Sequence, residues 1–160
     1  MKEGLDPFKV RKELKGDARR LFFYLSQRIS GYTIDEIKYF SGFSNKALIN
    51  RCLAEMKRLG IVEKQDDKYY VPRPIAEAVG FAFKHYVKVG DKLIARGFVS
   101  AIAYAIFLLI FTAAYPAAIS TLPWGLVFTL LFAAIGVYEV FRMRGLVKML
   151  RTANTGEAKP

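Results

Sequence analysis

Asn45, Lys46, Ala47, Asn50, Arg51 and Arg58 lie at helical spacing among apolar residues. At about 100° per residue, Ile49, Cys52, Leu53 and Met56 fall on one face of a helix, and Ala47, Asn50, Arg51, Ala54 and Arg58 fall on the other. The outward residue types suit the edges of base pairs. An Arg guanidinium makes bidentate bonds to guanine, an Asn amide does the same to adenine, and Ala admits close approach or meets a thymine methyl. Asn45 and Lys46 stand at the N-terminal end of the segment, where an amine suits a phosphate.

Other chemistries find no support in the residues. The single cysteine, Cys52, cannot form an intramolecular disulfide, and one histidine with no second thiol offers no metal-ligand spacing. There is no glycine-rich phosphate loop and no nucleophile elbow, and neither Cys52 nor His85 has a triad partner nearby in sequence, so no enzyme, cofactor or metal is expected. The formal net charge of +11 divides unevenly: residues 1–96 hold 20 Lys/Arg against 12 Asp/Glu, giving +8, and residues 97–160 hold 5 against 2, giving +3. Such an excess calls for an anionic partner, either nucleic acid or lipid headgroups.

The elements that must position these residues follow from local signals. After a short stretch containing Asp6-Pro7, Ala18, Leu21, Phe22, Leu25 and Ile29 predict a helix over 17–30, with Asp17 as N-cap and Gly31 as the stop. Thr33 caps a second helix, 34–40, with Glu36 in the capping-box position, and Gly42 follows in the turn. A third helix over 44–59, starting at Ser44, is the candidate reader of a helix-turn-helix. Residues 61–65, a turn at Asp66-Asp67 and residues 68–71 predict a two-stranded hairpin ended by Pro72, with Lys64 and Lys68 flanking its tip within reach of phosphates.

The order of these elements and the wording GFSNKALINRCLAEMKRLGIVEKQDDKYYV resemble the winged helix-turn-helix of ArsR/MarR-type transcription regulators over about residues 7–73. The resemblance implies an α+β winged helix-turn-helix domain, residues 1–73, that binds double-stranded DNA. Its recognition helix 44–59 would lie in the major groove and its wing 61–72 on the backbone. Ser44 to Ile49 is one residue longer than the commonest spacing of that family, which sets the base-contacting positions to within one residue.

Residues 74–96 read as a connecting helix. Ile75, Val79, Ala82, Tyr86, Val89 and Leu93 form a heptad-like seam suited either to a homodimer or to packing on the chain's own domain. Lys84, Lys88, Lys92 and Arg96 recur every fourth residue, a basic stripe for lipid headgroups. His85 reads as a surface residue.

No residue from Gly97 to Tyr138 is charged, a run long enough for two membrane spans and a turn. Spans over 98–118 and 123–141 are expected, inside a transmembrane hairpin of residues 97–145 followed by a basic cytoplasmic tail, 146–160. The opening MKEGLDPFKV has no apolar core, so no cleaved secretory signal is expected and the first span acts as the targeting element. Cations cluster before the first span and after the second, at Arg142, Arg144, Lys148 and Arg151, while the loop has none, which puts both termini in the cytoplasm. Glu139, one turn from Arg142, reads as a paired or snorkelling group.

The whole layout resembles the membrane-anchored one-component transcription regulators of archaea. That likeness implies a membrane-tethered regulator acting as a homodimer on DNA, with a membrane protein as a further possible partner. The alternative is a membrane scaffold whose winged domain docks a protein or anchors DNA without reading it.

Overall fold

The computed structural model describes residues 5–43 and 45–154. They form seven α-helices and two small antiparallel sheets, and fall into two units: one runs up to Ala82 and resumes at Leu146, the other is Phe83–Gly145.

The first unit opens with α1, Pro7–Glu13, within the short stretch for which no element is expected from the sequence. Its start signal is plain: Asp6 accepts a bond from the Phe8 amide at 2.9 Å, and Pro7 occupies the first turn. Helix α2, Gly16–Leu25, carries Ala18, Leu21, Phe22 and Leu25 inward as expected, but begins a residue early and ends five residues short of Ser30. Asp17 lies in its first turn and does not cap it, and Ile29, expected on the apolar face, is 77% exposed. The Ser26 hydroxyl donates to the Phe23 carbonyl at 2.8 Å and satisfies one end of the shortened helix.

Helix α3, Ile34–Phe40, has the expected bounds. The Thr33 hydroxyl accepts from the Glu36 amide at 3.2 Å, and the Glu36 carboxylate accepts from the Thr33 amide at 2.8 Å. That amide bond holds the Glu36 carboxyl below the usual carboxylate range. Helix α4, Lys46–Arg58, follows; Ser44, the expected start, lies outside the described residues, and Asn45 is the N-cap, accepting from the Ala47 amide at 2.8 Å. Both α2 and α3 pack on α4, whose Ile49, Cys52, Leu53 and Met56 are all buried.

Strands β1, Glu63–Gln65, and β2, Lys68–Tyr70, pair antiparallel around Asp66 and Asp67, both at positive φ as a tight two-residue hairpin turn requires. Tyr32 bridges to Tyr69 through bonds of 3.0 and 2.8 Å, which adds a one-residue third strand between α2 and α3. Gly31 makes this approach possible. Its φ is +70°, and a Cβ there would sit 2.9 Å from the Tyr69 carbonyl oxygen.

Helix α5, Arg73–His85, is where the structure departs furthest from the expected connecting helix. The chain turns at Gly90-Asp91 between strands β3, Tyr86–Val89, and β4, Lys92–Ala95, paired antiparallel. The β-branched Val87, Val89 and Ile94 favour strand, and Gly90 at φ +58° supplies the turn. The seam therefore ends within α5, where Val79 and Ala82 are fully buried. Ile75 and Ala78 pack with Leu146 and Leu150, so this face of α5 is covered by the chain itself.

In the second unit β4 runs directly into α6, Arg96–Ala114, followed by a 3₁₀ segment, Pro116–Thr121, and α7, Leu122–Asn154. Both α6 and α7 are long and apolar enough to cross a membrane. They meet where Gly97 faces Gly136: a Cβ on Gly97 would collide with the Gly136 amide nitrogen, and one on Gly136 would come within 2.8 Å of the Phe98 nitrogen. Tyr104 packs between Phe128 and Phe132 further along. Residues 146–154, expected as the start of a basic tail, continue α7, with Leu146 and Leu150 buried in the first unit; residues 155–160 lie outside the described ones.

Candidate nucleic-acid interface

The buried stripe of α4 fixes which side chains it can present. Asn45, Lys46, Ala47, Asn50, Arg51 and Arg58 are all exposed, together with Ala54 and Lys57. One helix thus gathers the residue types that suit base edges and phosphates on its open side, with the Asn45 carbonyl oxygen already committed to the helix N-terminus.

The cations divide by their partners. Lys46 Nζ meets Asp35 Oδ1 of α3 at 2.6 Å, and the contact pulls the Asp35 carboxyl below its ordinary range. Arg58 is drawn toward α1, where its Nη2 donates to Glu13 Oε2 at 2.9 Å, so it fastens α4 to α1. Lys64 Nζ meets Asp67 Oδ1 at 2.7 Å above the Tyr69 ring, and the bond raises the lysine and lowers the aspartate from their ordinary values. Pairing of Lys64 with Tyr69 and of Gln65 with Lys68 puts Lys64 and Lys68 on opposite faces of the hairpin, so their amines leave it in different directions. Asn50 and Arg51 lie one turn beyond Lys46, exposed. Glu13 and Asp35, the acidic partners, carried no signal in the sequence because each lies on a different helix from its cation.

Compared against protein-family models, characterised proteins and solved structures, the chain matches none.

A second polar constellation lies in the Phe83–Gly145 unit. Glu139 of α7 is 4% exposed. Its Oε1 lies 3.0 Å from His85 Nδ1 and its Oε2 accepts the Gly97 amide at 2.9 Å, while the Tyr86 hydroxyl donates to the Glu139 carbonyl at 3.4 Å. Burial first, and the Glu139 charge second, raise the Tyr86 phenol above its ordinary range. Glu139 is therefore an N-terminal cap for α6 supplied by a different helix, since Ala95 has no side chain to do it. The expected Arg142 partner and the surface reading of His85 both give way to this cluster. Its signal was Glu139 itself, the sole acid between Asp91 and Glu157.

The four cations assigned to lipid are all exposed but do not form a helical stripe. Lys84 lies in the last turn of α5, Lys88 and Lys92 lie on β3 and β4, and Arg96 opens α6.

Proposed function

We propose that the chain is a membrane-tethered, DNA-binding transcription regulator of the winged helix-turn-helix kind. The observation that carries this reading is α4, which buries Ile49, Cys52, Leu53 and Met56 on one face while Asn50, Arg51 and Lys46 stand exposed on a unit of positive charge. A capped α3, a turn and α4, followed by a tight hairpin bridged to a strand residue between α2 and α3, support a winged arrangement. The apolar outer surfaces of α6 and α7 support insertion in a bilayer, and their flanking cations support cytoplasmic termini. A homodimer would present two recognition helices to half-sites about one helical turn apart.

Binding of the full chain in lipid nanodiscs to genomic duplex fragments across a salt series tests the reading. Asn50→Ala and Arg51→Ala should each cost about 1–3 kcal/mol and relax sequence preference, whereas Lys46→Ala should weaken all sequences alike. Affinity should fall steeply with salt. Weak, unselective binding that none of these changes alters would overturn it. The exposed Tyr39 and Phe40, in edge-to-face contact on α3, favour the second reading, a scaffold that docks a protein; Tyr39→Ser would then abolish partner capture and leave DNA binding unchanged.

A further inference from the structure

The β3–β4 hairpin turns an apolar face away from the helices beside it. Its register pairs Tyr86 with Ala95, Val87 with Ile94, Lys88 with Leu93 and Val89 with Lys92. Side chains alternate along a strand, so Tyr86, Ala95, Lys88 and Leu93 share one face, and Val87, Ile94, Val89 and Lys92 share the other. The first face is the inner one: Tyr86 and Ala95 are buried, and Tyr86 bonds to α7. On the outer face Val87 and Ile94 form a half-buried pair and Val89 is 49% exposed. A hairpin facing water would place polar residues there.

Two further features say what covers that face. Ala95 is followed at once by Arg96, the first residue of α6, so the hairpin ends where the apolar helix begins. The 19 residues of α6 rise about 1.5 Å each, roughly the thickness of a hydrocarbon core, which leaves the strand ends at headgroup level. Along residues 84–96 the charge is also one-sided, with Lys84, Lys88, Lys92 and Arg96 against Asp91, and Glu139 is buried beneath the inner face. A two-stranded hairpin is marginal by itself and needs a surface to lie on.

We propose that β3–β4 is an interfacial membrane anchor. Val87, Val89 and Ile94 enter the boundary between headgroups and acyl chains, and Lys92, on the same face, binds the phosphates of anionic lipids. The strand edges stay at the level of headgroups and water, where their backbone groups find partners. The anchor fixes the depth and rotation of α6 at its cytoplasmic end. This inference rests on the membrane-spanning reading above.

Nitroxide labels on the full chain in vesicles test it, placed by Val89→Cys, Leu130→Cys and Lys57→Cys in a Cys52→Ala background. Collisions with oxygen, which partitions into the bilayer, are compared with collisions with a neutral, water-soluble nickel chelate. Leu130 on α7 is the bilayer reference and Lys57 on α4 the aqueous one. The expected result is a Val89 label that favours oxygen several-fold over the Lys57 label in phosphatidylglycerol vesicles. The preference should shrink in purely zwitterionic vesicles, and should shrink likewise with Lys92→Gln. A Val89 label that behaves like Lys57 while Leu130 reports bilayer overturns the anchor alone. A Val89 label shielded from both reagents overturns it in favour of protein contact with a second copy. A Leu130 label in water overturns the spanning reading and the anchor with it. Should Cys52→Ala fail to fold, the same labels in protein retaining buried Cys52 give the same comparison.

Discussion

A buried carboxylate is costly unless its oxygens are used, and Glu139 uses both, on the His85 ring and on the Gly97 amide. The amide is the more exacting partner, since it is buried at the start of α6 and no other cap is present. Glu139→Ala should therefore cost about 1–3 kcal/mol through the orphaned amide, and Glu139→Gln, which keeps a carbonyl acceptor, should cost less. His85 is 30% exposed at its side chain and its truncation should cost less than Glu139→Ala. Thermal unfolding of the detergent-solubilised chain, with the double variant to close the cycle, gives the coupling directly. Unfolding of Glu139→Ala at the wild-type temperature would remove Glu139 as the cap. The sequence marked Glu139 as exceptional through its isolation among apolar residues, yet pointed to Arg142 as its partner. Helical neighbours are visible in sequence; Gly97 and His85 belong to other elements and are not.

At the scale of elements, legibility followed the range of the deciding interaction. Helix α3, its Thr33–Glu36 box, the Asp66-Asp67 turn and the buried stripe of α4 depend on residues a few positions apart, and all were read from spacing. Helix α1 has an equally local start signal in Asp6-Pro7 but no long apolar periodicity behind it, being only seven residues long. The β3–β4 hairpin was hidden by a coincidence of periods: Tyr86, Val89 and Leu93 fit a heptad, while the alternation around Gly90-Asp91 fits a hairpin equally well. The end of α7 was hidden by distance, because the residues that bury Leu146 and Leu150 lie on α5, far back in the chain. This last contact has a measurable consequence. Leu146→Ala and Leu150→Ala should each destabilise the unit by roughly 2–5 kcal/mol, although both lie beyond the apolar spans. A fragment cut after Arg96 should unfold at a lower temperature than the same unit in the full chain, since Ile75, Ala78 and Phe81 lose their cover. Equal unfolding temperatures would mean that α7 adds nothing to the first unit.

For the whole molecule, the proposed membrane-spanning reading takes its expected orientation from the distribution of charge. Cations precede α6 and follow the apolar part of α7, and the segment between, from Gly97 to Tyr138, has none. Positive flanks are retained on the cytoplasmic side during insertion, so the 3₁₀ segment Pro116–Thr121 should cross to the far side and both flanks should stay. Exposed aromatic residues agree with that expectation: Tyr115 and Trp124 lie near the turn between the two apolar helices, and Tyr138 and Phe141 near the cationic end, where the proposed spans would meet the two interfaces. A regulator built this way meets DNA and membrane on the same side of the bilayer, which the proposed function requires. In a Cys52→Ala background, Ser120→Cys should react with a membrane-impermeant maleimide on intact cells, and Met149→Cys only after the membrane is opened. The reverse pattern would place the basic α4 face across the membrane from DNA, and the regulator reading would fall with it.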